Sequence, residues 1–214
     1  MIPAFPVYLF DIDGTLLDSA PDICGAIEQV IIKEGVKAPS FSYLKSFVGL
    51  HLVDCFLDVF PGSSAERLDE LVQAYRVIYR AREHALTRVF PGVAEGLARL
   101  GGRKSTATTK GSPMARTVVE KFGLGAHFEH FQGTDGFPSK PEPDVIFAAM
   151  AALGARPEEC LMVGDSHADI LAARAAGVKV CAVRYGYGDP EALARLEPDY
   201  SVGDLRELAT DEHG

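Results

Sequence analysis

Hydrophobic positions fall into two kinds of pattern along the chain. Val7 to Phe10 is a continuous apolar run of four, the signature of a short strand buried on both faces. After Asp18 the spacing becomes helical. Ile23, Ala26, Ile27, Val30 and Ile31 recur three and four residues apart, with Ser19 placed as N-cap, Pro21 in the first turn and Gly35 as a stop. A second helix is predicted from near Ser40. A third carries Leu52, Val53, Phe56 and Val59 up to Pro61-Gly62, and a long fourth runs from about Ser64 to about His84. No strand pattern interrupts Asp18 to Leu86.

Strand and helix patterns then alternate. Pro91-Gly92 opens a helix through Leu97 and Leu100, and Arg103 to Thr108 reads as extended, although it is polar for a buried strand. Ser112-Pro113 starts a helix that runs to Phe122, and Phe128 to Gln132 is a short strand candidate. A helix from Pro143 to Leu153 precedes a strand from Cys160 to Val163, an Ala-rich helix from Asp169 to Ala176 and an apolar strand from Val178 to Val183. A helix near Pro190 to Leu196, a strand around Tyr200 to Val202 and a terminal helix close the series. Alternation of this kind predicts an α/β fold with a mostly parallel, doubly wound sheet. The sheet-forming parts are 1–17 and 87–214, and 18–86 is an all-helical insertion between them.

Composition narrows the function classes. The chain has 214 residues, 47% of them hydrophobic and 24% charged, which is ordinary for a globular protein. A formal net charge of -9 argues against a nucleic-acid or anionic-membrane surface. An anionic substrate must then be held by local positive charge or by metal. No apolar run reaches membrane-spanning length, Met1 to Pro6 lacks a signal-like pattern, and a cytoplasmic protein, monomeric or homodimeric, is expected. Cys24, Cys55, Cys160 and Cys181 lie apart in apolar stretches and are expected to be reduced core residues.

The chemistry collects where the predicted strands end. The first is followed by Asp11-Ile12-Asp13-Gly14-Thr15, the second by Thr108-Thr109-Lys110, and the fourth by Gly164-Asp165-Ser166 with Asp169 one helical turn on. A loop adds Lys140 beside Pro141 and Pro143. In an open α/β sheet the ligand crevice lies outside the carboxyl ends of the strands. Carboxylates crowded there repel one another unless a cation joins them, which asks for a hard metal such as Mg²⁺. A bare Asp-x-Asp-Gly is also compatible with a solvated turn; the later motifs argue against that reading. Carboxylates, a lysine and hydroxyls around one crevice suit phosphoryl transfer.

This ordered set resembles the haloacid dehalogenase-like superfamily. Thr15-Leu16-Leu17-Asp18-Ser19, Phe90-Pro91-Gly92-Val93, Lys140-Pro141-x-Pro143-Asp144 and Tyr185-Gly186-Tyr187-Gly188 resemble its phosphoglycolate phosphatase branch. The resemblance implies a Rossmann-like core with an inserted all-α cap, and hydrolysis of a small phosphorylated metabolite, 2-phosphoglycolate being the best single guess and a sugar phosphate, a nucleotide or pyrophosphate the alternatives. It implies Asp11 as nucleophile and Asp13 as general acid and base. The Asp11 carboxylate, the Asp13 carbonyl and Asp165 would bind Mg²⁺. Thr108 would bind the phosphoryl group and Lys140 neutralise it. Asp169 would order the metal's waters or pair with Lys140, and Gly14 and Thr15 would shape the turn. The family often has Asn where Thr109 stands, so Thr109 is the alternative phosphate contact. Ser166 belongs to the fourth motif, and His51 lies where the cap would meet substrate.

Other chemistries fit less well. A related phosphomutase typically has an acid where Gly164 stands, and a carbon–halogen hydrolase lacks the second carboxylate supplied here by Asp13. A phosphonate hydrolase needs a reactive cap lysine, for which Lys33, Lys37 and Lys45 offer no evident reason. A phospho-accepting signalling domain shares the acid cluster but is shorter and has no cap. His167 and Arg184 are read as exposed.

Overall fold

The computed structural model describes residues 2–208. In chain order the elements are β1 (Val7–Phe10), β2 (Leu17–Asp18), α1 (Ala20–Lys33), α2 (Phe41–Lys45), α3 (Leu52–Val59), α4 (Ala65–Ala81), β3 (Arg88–Val89), α5 (Val93–Arg99), β4 (Arg103–Ala107) and α6 (Ser112–Lys121). Then come β5 (His130–Gln132), α7 (Asp144–Leu153), β6 (Cys160–Gly164), α8 (His167–Ala175), β7 (Lys179–Val183), α9 (Pro190–Arg195) and β8 (Tyr200–Val202). The six-stranded sheet has the order β5-β4-β1-β6-β7-β8, and every neighbouring pair is parallel.

β1 shows why its sequence is apolar throughout. Tyr8 and Phe10 pack on one face with Val93, Leu97 and Val118. Val7 and Leu9 pack on the other with Ile146, Ala149 and Ile170. Successive strand residues alternate faces, so a strand covered on both sides has no polar register left. The insertion has a third core of its own, in which Ile27 and Ile31 of α1 meet Phe56 of α3 and Leu71 of α4. At about 25 cal/mol per Å² of apolar surface removed from water, such a core supplies most of the drive that holds these helices together.

Several sequence expectations shift. The strand expected from Phe128 begins at His130, the terminal helix is a 3-10 turn at Leu205–Leu208, and residues beyond 208 lie outside the described set. Asp18, expected to begin the helical insertion, belongs to β2, which pairs antiparallel with β3 across Leu17↔Val89 and Asp18↔Arg88. The two strands are two residues each, too short to show a period of two. The polarity of β4 also has an explanation. Lys104 Nζ donates to the carbonyls of Leu100 (2.5 Å), Gly101 (3.2 Å) and Gly102 (3.1 Å), and Thr106 donates to Gln132 O. A polar strand is tolerated inside a parallel sheet because its donors find acceptors.

The two stems of the insertion are tied by one buried acid. Asp22 in α1 accepts from Leu86 N (2.9 Å), Thr87 N (2.8 Å) and Thr87 Oγ1 (2.8 Å), and Arg82 Nε reaches it at 3.2 Å. Asp22→Ala strands these donors and is expected to lower the unfolding free energy by about 3 kcal/mol, measured by urea denaturation. Removing the exposed Arg67–Glu70 pair with Glu70→Ala is the contrast, with no measurable change in midpoint.

Candidate active site

β1, β4 and β6 are adjacent and in parallel register, Phe10 pairing with both Thr106 and Val163. Their carboxyl ends therefore open side by side, and the residues after them share one crevice. Asp11 follows β1 and is fixed by its own N–H donating to Val163 O at 2.9 Å. Lys140 Nζ lies among its partners, donating to Asp11 Oδ1 (2.9 Å), Asp169 Oδ1 (2.5 Å) and the Ala107 carbonyl (2.9 Å). Ser166 caps α8 and forms a reciprocal pair with Asp169, whose Oδ2 accepts from the Ser166 backbone N–H and hydroxyl.

Asp165 ends β6 on the same crevice. Thr15 Oγ1 donates to its Oδ1 (2.9 Å) and Tyr187 N donates to its Oδ2 (2.8 Å). Gly14 has φ +92°, and a Cβ there would fall on the Asp165 carboxylate. The turn thus needs glycine both for its backbone and for space.

One oxygen each from Asp11, Asp165 and Asp169 lies within 4.8 Å of the others. Burial pushes Asp165 up to about 8, helped by Asp169 and Asp11 and resisted by Tyr187 N–H and Thr15. Burial likewise pushes Asp11 up to about 6 against the pull of Lys140. Lys140 is held above the usual lysine range: burial opposes its charge, but Asp11 and Asp169 outweigh burial. The buried carboxylates Asp11, Asp13, Asp165 and Asp169 face two ammonium groups, Lys140 and Lys110. The excess of two negative charges on oxygen donors fits a hard divalent cation.

Asp13 is placed differently. Its side chain is outside the three-carboxylate cluster; Lys110 Nζ donates to its Oδ2 at 2.5 Å, and the Ser19 hydroxyl donates to its Oδ1. Lys110 is held in its charged form, Asp13 overcoming the cost of burial. The sequence pairs neither Lys110 nor Ser19 with Asp13. Lys110 was visible as the last letter of Thr108-Thr109-Lys110. Ser19 does occupy the N-cap position of α1, but its side chain makes no capping bond and is spent on Asp13 instead.

Thr108 is fully buried, its Oγ1 3.4 Å from the Lys110 N–H that donates to it. Thr109 is half-buried and lines a cavity of about 810 Å³ that opens at Asp13 and Lys110, between α6 and the helices of the insertion. His51 is exposed and lines the same cavity. His167 is exposed at the start of α8, and Arg184 is exposed after β7.

The loop after β7 supplies a further group that sequence reading left without a role. Tyr187 donates its N–H to Asp165, while its hydroxyl accepts from Ser19 N (2.6 Å) and Ala20 N (2.9 Å) and donates to Asp18 Oδ1 (2.9 Å). Lys45 Nζ sits 4.7 Å from its ring centroid. A Cβ on Gly186 would strike Asp165 and the Gly14 carbonyl, so only glycine lets this loop close on the site. The Gly-Tyr-Gly spacing was the available signal.

The family described as haloacid dehalogenase-like hydrolase matches residues 8–183, which include Asp11, Asp13, Lys110, Lys140, Asp165 and Asp169. The chain belongs to this family. Among relatives, it is 31% identical to phosphoglycolate phosphatase 1 of Pseudomonas aeruginosa, over 94% of this chain and 77% of that protein. It is 33% identical to a 5'-nucleotidase of the same organism, over 95% and 94%, and 35% identical to a plasmid phosphoglycolate phosphatase of Cupriavidus necator, over 94% and 90%. Its fold is similar to that of a haloacid dehalogenase-like family hydrolase from Streptococcus pneumoniae, with a TM-score of 0.87 at 27% identity, covering 95% and 96% of the two chains. For this haloacid dehalogenase-like chain, Tyr187→Phe removes the hydroxyl that receives the first amides of α1. Hydrogen exchange at Ser19 and Ala20 is expected to quicken, with a stability loss of about 1–2 kcal/mol.

Proposed function

We propose that the chain is a Mg²⁺-dependent phosphomonoester hydrolase working through an aspartyl-phosphate on Asp11. The observation that carries this reading is Lys140 bridging Asp11 and Asp169 beside Asp165, with the Asp13 carboxylate held apart from that cluster. The site holds one acid for attack and a separate one for proton transfer.

The Asp11 carboxylate, the Asp13 carbonyl and Asp165 are the proposed metal ligands, and Mg²⁺ there would neutralise phosphoryl charge. Lys140 takes one oxygen of Asp11 and leaves the other to attack phosphorus as the ester P–O bond breaks. The departing alcohol oxygen takes its proton from Asp13. Water then attacks phosphorus, giving its proton to Asp13, and the phosphate leaves with Asp11 restored. Lys110 and Ser19 hold both Asp13 oxygens, so one of these bonds must open for Asp13 to meet the leaving oxygen. Thr108, or Thr109 beside it, is the proposed hydroxyl donor to the phosphoryl group. The helical insertion serves as the cap that keeps bulk water out while the intermediate persists.

The substrate class is a phosphorylated small molecule. 2-Phosphoglycolate is a first candidate because relatives covering nearly all of this chain carry that name, and the nucleotidase relative keeps nucleoside monophosphates in the panel.

Phosphate release from a monoester panel tests the reading. Asp11→Asn is expected to lower kcat by about 10⁴-fold or more, and Asp13→Asn by about 10²–10⁴-fold. Retention of turnover by Asp11→Asn refutes the mechanism. Chelation of divalent metal should stop turnover. Mg²⁺ should raise the Tm of the wild-type chain and leave that of Asp165→Asn unmoved; equal shifts in both would remove Asp165 from the ligand set.

A further inference from the structure

The cavity beside Asp13 is much larger than a two-carbon alcohol requires. Its volume is about 810 Å³, within the range of pockets that enclose drug-sized ligands, roughly 300–1,000 Å³. It is continuous with the reacting end, since Asp13, Thr109 and Lys110 form part of its wall. On the other side it runs between the helices of the insertion.

The wall is mainly apolar, its further polar side chains Asp69, Gln73 and Thr117 being exposed. Ile23 and Ile27 come from α1, Leu52 from α3, Val72 and Tyr75 from α4, and Met114 from α6. Tyr75 stacks on Tyr79 with centroids 5.4 Å apart and planes at 11°, which fixes the aromatic side of the wall. The cations are placed unfavourably for a small acid. Lys110, next to the reacting end, is already paired with Asp13. The other cationic side chains lining the cavity, Arg76 and Arg80, are exposed, as is His51. A leaving group of two carbons bearing a carboxylate would fill little of this space. It would also have to compete with Asp13 for its nearest ammonium.

We infer that the cavity selects phosphate monoesters of bulky, mainly apolar alcohols, whose body lies against Ile27, Leu52, Val72, Tyr75 and Met114. The inference rests on the phosphomonoesterase reading for the reacting end and adds the class of alcohol. The phosphoryl group is held by the core residues, which do not discriminate between alcohols. The apolar wall discriminates by removing hydrocarbon from water, worth about fourfold in affinity per buried methylene. A hexose of comparable bulk gains less there, because along Ile27, Leu52, Val72, Tyr75 and Met114 its hydroxyls find no partners, the polar Asp69, Gln73 and Thr117 being exposed.

A homologous series of n-alkyl phosphates from ethyl to hexyl, compared with 2-phosphoglycolate and glucose 6-phosphate, tests this. The expected result is a rise in kcat/KM of about three- to fourfold per methylene. Hexyl phosphate should then exceed both polar esters by at least tenfold. Met114→Trp and Leu52→Trp, each checked for folding by its thermal melt, fill the cavity from opposite sides and should flatten the series. A series flat in chain length, or a polar ester turned over faster than hexyl phosphate, overturns the inference and leaves the phosphatase reading standing.

Non-hydrolysable n-alkylphosphonates, titrated calorimetrically into the wild-type chain, read the cavity without turnover. Affinity that rises with chain length, with an increasingly negative heat-capacity change, and falls in Met114→Trp supports the inference even where no ester is hydrolysed, in which case only the phosphatase reading fails. Affinity indifferent to chain length overturns it.

Discussion

Two ammonium groups set among four buried carboxylates are the interaction on which this site depends. Asp11, Asp13, Asp165 and Asp169 are each at most 4% exposed, and an unpaired charge at such depth costs several kcal/mol. Lys140 and Lys110 divide the work. Lys140 holds Asp11 and Asp169 together against their repulsion, and Lys110 holds Asp13. The remaining negative charge is concentrated where Asp165 approaches Asp11, and there burial raises the affinity for protons or for a cation. Electrostatic tension left over in the folded chain and a place for a divalent ion are the same feature, described from two sides.

The backbone makes that crowding possible. Three parallel strands in the order β4-β1-β6 end side by side, and the absence of side chains at Gly14 after β1 and at Gly186 in the loop after β7 lets both loops pack against Asp165. Gly164 belongs to the same economy: a Cβ there would collide with the Asp169 carboxylate. An acid at that position, which a related phosphomutase typically carries, has no room in this arrangement. The residue that favours hydrolysis by family resemblance is also the one that lets Asp169 reach Lys140.

The fold and the charged centre were legible because each is written in local pattern. Apolar runs marked β1, β6 and β7, three-and-four spacing marked α1 and α4, and the acids sit at fixed offsets from strand ends. What escaped was contact between distant loops. Lys110 and Asp13 are 97 residues apart, and Tyr187 lies 168 residues from Ser19, so no spacing rule connects them. Ser19 misled for a different reason. A serine before a proline-containing first turn reads as a side-chain cap, yet a carboxylate within reach offers its hydroxyl a stronger, charge-assisted bond. β4 was read as extended despite its lysine and hydroxyls, but their partners are carbonyls that only the folded structure brings near. β2 and β3 were simply too short to carry a pattern.

These long-range contacts divide the site into two parts with different dependencies. Asp11, Asp165, Asp169 and Lys140 are fixed to the sheet by strand ends, a helix cap and the Ala107 carbonyl, and none of their bonds described above involves the helical insertion. Asp13 is the exception. One oxygen answers to Ser19, whose own N–H is held by the Tyr187 hydroxyl at the start of α1, and the other to Lys110, which lies 5.2 Å from the Tyr79 ring centroid of α4. A displacement of the insertion therefore changes the surroundings of Asp13 directly, through Ser19 and the Tyr79 ring, and those of Asp165 only by way of Tyr187. Because Tyr187 also donates to Asp165, the start of α1 is tied back to the strand-end cluster. On the proposed mechanism the leaving group, which meets both the insertion and Asp13, is the component of the reaction that this division leaves adjustable. On that mechanism, selection among substrates can vary there without disturbing the charges at the strand ends.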